Sequence, residues 1–193
     1  MAFPVSAGRG VTQVVDRCEA AKLSGFLVLF TTLEALYCTT FNDLSSCSLL
    51  YITDAIYLIL KECEITKVSL RNNSLKKFPK KMITKFPNLT ILNIEGNEIE
   101  EFPTEFEECT SMKGLNAANN KLTSVPDGIF SMKQLAILDL SGNMIEDIDA
   151  DRLYNSCPSL VQLNMSGNPI SDEAKQRLCS SLLKPAKMKL KLD

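Results

Sequence analysis

LAILDLSGNMI, residues Leu135 to Ile145, is the cleanest copy of an eleven-residue pattern that recurs four more times along this chain. Reduced to its fixed places it reads L-x-x-L-x-L-x-x-N-x-L, apolar at positions one, four, six and eleven with an asparagine at position nine. ITKVSLRNNSL (65 to 75), LTILNIEGNEI (89 to 99), MKGLNAANNKL (112 to 122) and LVQLNMSGNPI (160 to 170) keep those places. The asparagines, Asn73, Asn97, Asn120, Asn143 and Asn168, follow one another at 24, 23, 23 and 25 residues. So regular a period marks a stack of supersecondary units rather than a globule around one closed core.

Each place in the pattern has a physical task. Positions four and six, such as Leu138 and Leu140, are two residues apart and share one side of a short strand, while positions three, five and seven point the other way. One such strand cannot bury its apolar side alone, but parallel copies about 4.8 Å apart cover one another. The asparagine amide offers two donors and an acceptor to backbone groups freed where the chain leaves the sheet, and stacked copies form a ladder.

Composition narrows the function. With 193 residues, 45% apolar content and 23% charge, the chain has the make-up of an ordinary globular domain. Its net charge of -2 argues against affinity built on broad neutralisation of nucleic-acid phosphates. The lysine clusters at 76 to 85 and 184 to 191 lack interleaved stacking aromatics beyond Phe78 and Phe86, which the pattern assigns to the core. There is no histidine, which removes the commonest general base, the usual partner of a nucleophilic serine or cysteine, and a frequent zinc ligand. No enzyme, cofactor or metal is expected. The seven cysteines, at 18, 38, 47, 63, 109, 157 and 179, are odd in number and contain no C-x-x-C, so they read as reduced small hydrophobes. Cys109 and Cys157 each stand three residues before the first apolar position of a repeat, which suggests a shared packing place. The start, MAFPVSAGRG, has no apolar run behind a positive end and does not read as a secretory signal.

Along the chain, residues 1 to 10 read as a flexible end. Val11, Val14, Val15 and Cys18 fall on one face of a helix over 11 to 24, expected to cap the open core of the stack or, on the same pattern, to bind a partner. Residues 25 to 42 form an apolar insertion, added strand or helix or poorly ordered; its run Phe26 to Phe41, 16 residues including Glu34, is short of the roughly 20 a membrane helix needs. The repeat array spans 43 to 171. It opens on a degenerate repeat, DLSSCSLL, with Cys47 in the asparagine place, followed by a helix capped by Thr53 or Asp54 and burying Ile56, Ile59 and Leu60. After the asparagines, Phe78-Pro79, Phe102-Pro103 and Val125-Pro126 predict extended returns rather than long helices. The fourth return has no such proline and predicts a fuller helix across Asp151 to Asn155. Lys76, Lys77 and Lys81 occupy the repeat places of Glu100, Glu101 and Glu105, either an ion-pair ladder or a docking patch. Residues 172 to 193 are expected to form a closing helix with Ala174, Leu178 and Leu182 inward, then a basic tail that is a terminal strand or a disordered end.

These residues resemble the leucine-rich repeat superfamily, and VPDGIF at 125 to 130 is similar to the return of its common 23-residue class. Over about three quarters of its length the chain is similar to the small intracellular leucine-rich repeat-containing protein 20 family, and Phe26 to Phe41 departs from it. The resemblance implies an α/β solenoid: a short parallel sheet on the concave face, helices and extended turns on the convex face, and an amino-terminal cap helix. It also implies an intracellular protein, cytoplasmic or nuclear, whose concave face binds an unidentified partner protein. From the residues themselves a non-catalytic, monomeric scaffold is expected, with neither nucleic acid nor membrane. The competing reading is an extracellular adhesion or receptor fragment. Secreted members end in cysteine-rich caps, whereas here GNPI at 167 to 170 is followed by SDEAKQRLC, with one cysteine.

Stacking would align the outward positions in three columns: Lys67, Ile91, Gly114, Ile137 and Gln162; Ser69, Asn93, Asn116, Asp139 and Asn164; Arg71, Glu95, Ala118, Ser141 and Ser166. The candidate partner-binding residues are Lys67, Arg71, Ile91, Asn93, Glu95, Asn116, Ile137, Asp139 and Asn164. Ile91 and Ile137 are large apolar residues at places the pattern exposes, framed by charge, as an anchor and polar rim require. The middle column either bonds to itself or offers its amides to a partner.

Overall fold

The computed structural model describes residues 41 to 52, 54 to 60 and 64 to 193. The expected flexible start, the cap helix and nearly all of the 25 to 42 insertion lie outside the described residues, as do Cys18, Cys38, Thr53, Cys63 and the side chain of Ile59.

Seven three-residue strands follow one another in a single sheet: β1 (Phe41–Asp43), β2 (Lys67–Ser69), β3 (Ile91–Asn93), β4 (Gly114–Asn116), β5 (Ile137–Asp139), β6 (Gln162–Asn164) and β7 (Lys189–Lys191). All neighbours are parallel, and the middle residues Val68, Leu92, Leu115, Leu138 and Leu163 stand in register, buried. The sixth-position residues Leu70, Ile94, Ala117, Leu140 and Met165 lie beneath them, also buried. Strands stop after three residues because position eight turns left-handed in every copy: Ser46, Asn72, Gly96, Asn119, Gly142 and Gly167 all have positive φ. Asparagine and glycine are the residues that tolerate that conformation best.

The degenerate first repeat is in step with the others, since the N–H groups of Cys47 and Leu49 both donate to Asn73 Oδ1 at 3.1 and 2.9 Å. β1 begins at Phe41, two residues ahead of the expected start of the array. At the other end the tail is a strand: β7 pairs with β6 and adds a seventh rung.

The returns form the convex layer. α1 (Asp54–Ile59) buries Tyr57, with Leu60 just beyond its end, and leaves Ile56 partly buried against the core. α2 (Lys81–Lys85) follows Pro79, and two 3-10 turns, Thr104–Glu108 and Asp127–Ser131, follow directly on Pro103 and Pro126. A Cβ on Gly128 would stand 2.8 Å from the backbone of Phe106 and Glu107, so the close approach of these turns depends on its absence. The proline-free return forms α3 (Ala150–Ser156), capped by Asp149 accepting from Arg152 N–H. α4 (Asp172–Ser180) is capped by Ser171 and buries Ala174 and Leu178. Leu182, expected inward on that helix, is fully exposed instead, because the chain leaves helical geometry at Ser181 and carries it off the buried face.

Cys109 and Cys157 share a place, each buried at the end of a helical turn and accepting the N–H of its repeat's first apolar residue, Met112 or Leu160. Phe78, Phe102 and Phe106 pack with ring centroids 4.6 to 5.2 Å apart. Salt bridges on the returns differ from the expected ladder. Lys81 pairs with Asp54 at 2.6 Å and Lys80 with Glu105 at 3.6 Å. Lys81 and Asp54 occupy the first turns of neighbouring helices, so Lys81 meets the preceding rung rather than Glu105. Both pairs are exposed and worth little.

Candidate concave interaction face

Strand register builds the face. The partners across β2 to β6 run Lys67, Ile91, Gly114, Ile137, Gln162 in one column and Ser69, Asn93, Asn116, Asp139, Asn164 in the next. Register thus brings together the first two of the three expected columns, and β7 extends them with Lys189 and Lys191. Ser69 and Ala118, expected to point outward, are instead buried. Ile91 is 41% exposed and Ile137 48%, both at strand positions facing away from the core. Gly114 lies between them, and a Cβ there would come within 3.8 Å of Ile91 Cγ1. Its absence leaves a notch one rung wide between two isoleucines standing two strand spacings, about 9 to 10 Å, apart.

The middle column is largely occupied with the sheet itself. Asn93, Asn116, Asp139 and Asn164 each turn a side-chain oxygen back onto the N–H two residues on, at 3.0 to 3.2 Å. Asp43 does the same on β1. Across strands, Asn164 Nδ2 donates to Asp139 Oδ2 at 2.9 Å, and Asn116 Nδ2 donates to Glu95 Oε2 at 3.0 Å. Glu95 also holds Arg71 at 3.1 Å. These bonds stiffen the face and tie the middle column to the sheet.

The five asparagines at position nine lie behind the face, buried. In each, Nδ2 donates to its own repeat's sixth-position carbonyl, three residues back, and to the corresponding carbonyl of the preceding repeat. The ladder is structural, and it holds the columns in line.

Val161, 48% exposed beside Gln162, was not singled out by sequence; its signal was an apolar residue at repeat position two, where other copies carry Thr66, Thr90, Lys113 and Ala136. A second concavity of about 630 Å³ lies between two returns, lined by Glu100, Phe102, Pro103, Val125, Pro126 and Met144 among others. Among the described residues no group of three His, Cys, Asp or Glu is placed to hold a metal.

Comparison with known proteins agrees with this geometry. The family model described as leucine rich repeat matches residues 63 to 122 and 110 to 170. Keratocan of Gallus gallus is 28% identical over 113 residues, 58% of this chain and 31% of that protein. An uncharacterised leucine-rich repeat-containing protein of Schizosaccharomyces pombe is 30% identical over 129 residues, 66% of this chain and 20% of that one. The chain thus spans a third or less of the length of these relatives. Among solved structures, a leucine-rich repeat protein of Leptospira interrogans is similar with a TM-score of 0.61 at 27% identity, covering 74% of this chain and 34% of that one. An internalin of Listeria monocytogenes has a TM-score of 0.55 at 14% identity, which shows the fold alone, over 74% of this chain and 40% of its own.

Proposed function

The chain belongs to the leucine-rich repeat family, and from that premise we propose that it is a non-catalytic intracellular scaffold that binds a partner protein on its concave face. Leucine-rich repeat folds typically serve as protein-interaction modules, and the seven in-register rungs form such a platform. The observation that carries the reading is the pair Ile91 and Ile137, exposed on either side of Gly114 in a column that also holds Lys67 and Lys189. Large apolar side chains presented on a rigid sheet, with polar residues around them, have the make-up of an interface anchor and rim. An intracellular setting is supported by Cys109, Cys157 and Cys179, which carry free thiols, since oxidising compartments pair cysteines. The similarity to the leucine-rich repeat-containing protein 20 family belongs to the same proposal. So does the absence of histidine, which leaves the face without the commonest general base.

Ile91→Asp combined with Ile137→Asp is the test. Neither side chain belongs to the core, so circular dichroism and the thermal midpoint should match the wild type. Affinity capture from cells followed by mass spectrometry should lose the main partner, at least about tenfold if the pair is an anchor. A folded double variant that retrieves the same partner at the same affinity overturns the concave-face reading.

A further inference from the structure

Between the end of α4 at Ser180 and the start of β7 at Lys189 the chain crosses the carboxy-terminal end of the stack, from the convex layer to the sheet. Leu182 and Leu183 stand in that crossing, 101% and 45% exposed. They are not on a loose tail. Ser181 Oγ donates to Asp151 Oδ1 at 2.6 Å and accepts from Leu183 N–H at 3.2 Å, while Met188 is buried and Leu190 packs on the core. The turn is thus held in a form that leaves Leu182 protruding. Lys184, Lys187, Lys189 and Lys191 follow, with no acidic residue from 181 to 192, on a chain whose net charge is -2. Among the described residues none of the four forms a salt bridge. The carboxylate nearest along the chain, Asp193, is bonded to the N–H of Gly167.

We propose that this end of the solenoid docks on an anionic membrane surface, with Leu182 and Leu183 entering the acyl boundary and the lysines lying against the headgroups. A protruding leucine pair has no flat area to offer a folded partner, whereas a deformable and uniformly negative surface accepts both the tip and the spread of cations. The attachment is peripheral and reversible, since two leucines and a few lysines make a weak anchor; among the described residues no helix is long and apolar enough to cross a membrane. The expectation that no membrane is involved came from the length of Phe26 to Phe41 and bears on spanning alone.

The test is sedimentation of the full chain with vesicles of phosphatidylcholine, with and without phosphatidylserine. Binding is expected only with phosphatidylserine, and it should weaken as salt is raised. Leu182→Ser with Leu183→Ser should weaken it about tenfold at an unchanged thermal midpoint. Lys184→Glu with Lys187→Glu should abolish it. Ile91→Asp with Ile137→Asp should leave it intact, so failure of the concave-face reading is seen separately. Failure to bind phosphatidylserine vesicles overturns the proposal. So does wild-type binding by the leucine variant, and so does equal affinity for soluble polyglutamate, which would point to an acidic protein instead.

Discussion

Asn97 is bonded to the backbone of two repeats at once. Its Nδ2 donates to Leu70 O and Ile94 O at 2.9 Å each, and its Oδ1 accepts from Leu75 N–H at 3.1 Å. Asn97→Ala would leave those buried groups without a partner, at a cost of roughly 1 to 3 kcal/mol. Urea denaturation measures it, and a loss within error of zero would reject the ladder as a source of stability. Position eight carries a second kind of coupling. Gly142 has φ +63, and a Cβ there would collide with Asn119 Oδ1 on the preceding rung. Gly142→Ala should therefore cost more than the roughly 1 to 2 kcal/mol of a left-handed backbone alone. In a chain that already carries Asn119→Gly the same change should cost less. Equal costs in both backgrounds would show that the rungs do not interact at this place.

At the scale of elements, the helical turns end on buried thiols. Burial pushes Cys109 up to about 11, with Glu108 adding to it, and burial pushes Cys157 to about 11 as well. Burial raises Tyr57 to about 12, helped by Asp54 on α1, and raises Tyr154 on α3 to about 12, helped by Cys179 and Asp151. An unfolded thiol ionises near 9, so between pH 9 and 11 the unfolded chain has released protons that the folded chain still holds. Stability then falls as pH rises through that window, and the tyrosines extend the fall from about 10 to 12. Cys109→Ala with Cys157→Ala should flatten the slope between pH 9 and 11 in denaturation midpoints. An unaltered slope would place the alkaline loss elsewhere.

Over the whole molecule, stability is close to a sum of neighbouring repeats, so the ends matter in proportion. α4 and β7 close one of them: Tyr154 Oη donates to Leu178 O at 2.8 Å, and Met165 N–H donates to Lys191 O at 2.9 Å. Truncation after Ser171 removes both elements and uncovers Leu163, Met165 and Ile170. Hydrogen exchange should quicken in β6 while β3 stays protected, and solubility should drop. Unchanged protection in β6 would show that the last repeat needs no cover.

By itself the sequence determined the rung, the register and the ladder. Leu138 and Leu140 share a side because strand side chains alternate, and the outward columns through Ile91 and Ile137 follow once equal positions of successive repeats are stacked. These are consequences of local geometry repeated. Tertiary structure decided what depends on where neighbouring rungs stand. Asn164 reaches Asp139 across strands, so the amides of the middle column are shared with the sheet. Lys81 meets Asp54 because two helices start side by side. The alternating tail KMKLKLD had a strand's pattern without a stated partner, and it became β7 because β6 presented an unpaired edge. Leu182 is exposed because α4 ends at Ser180, a boundary that the periodicity of Ala174, Leu178 and Leu182 ran past. Side-chain periodicity records which face a residue would take within an element, and only packing settles where the element stops.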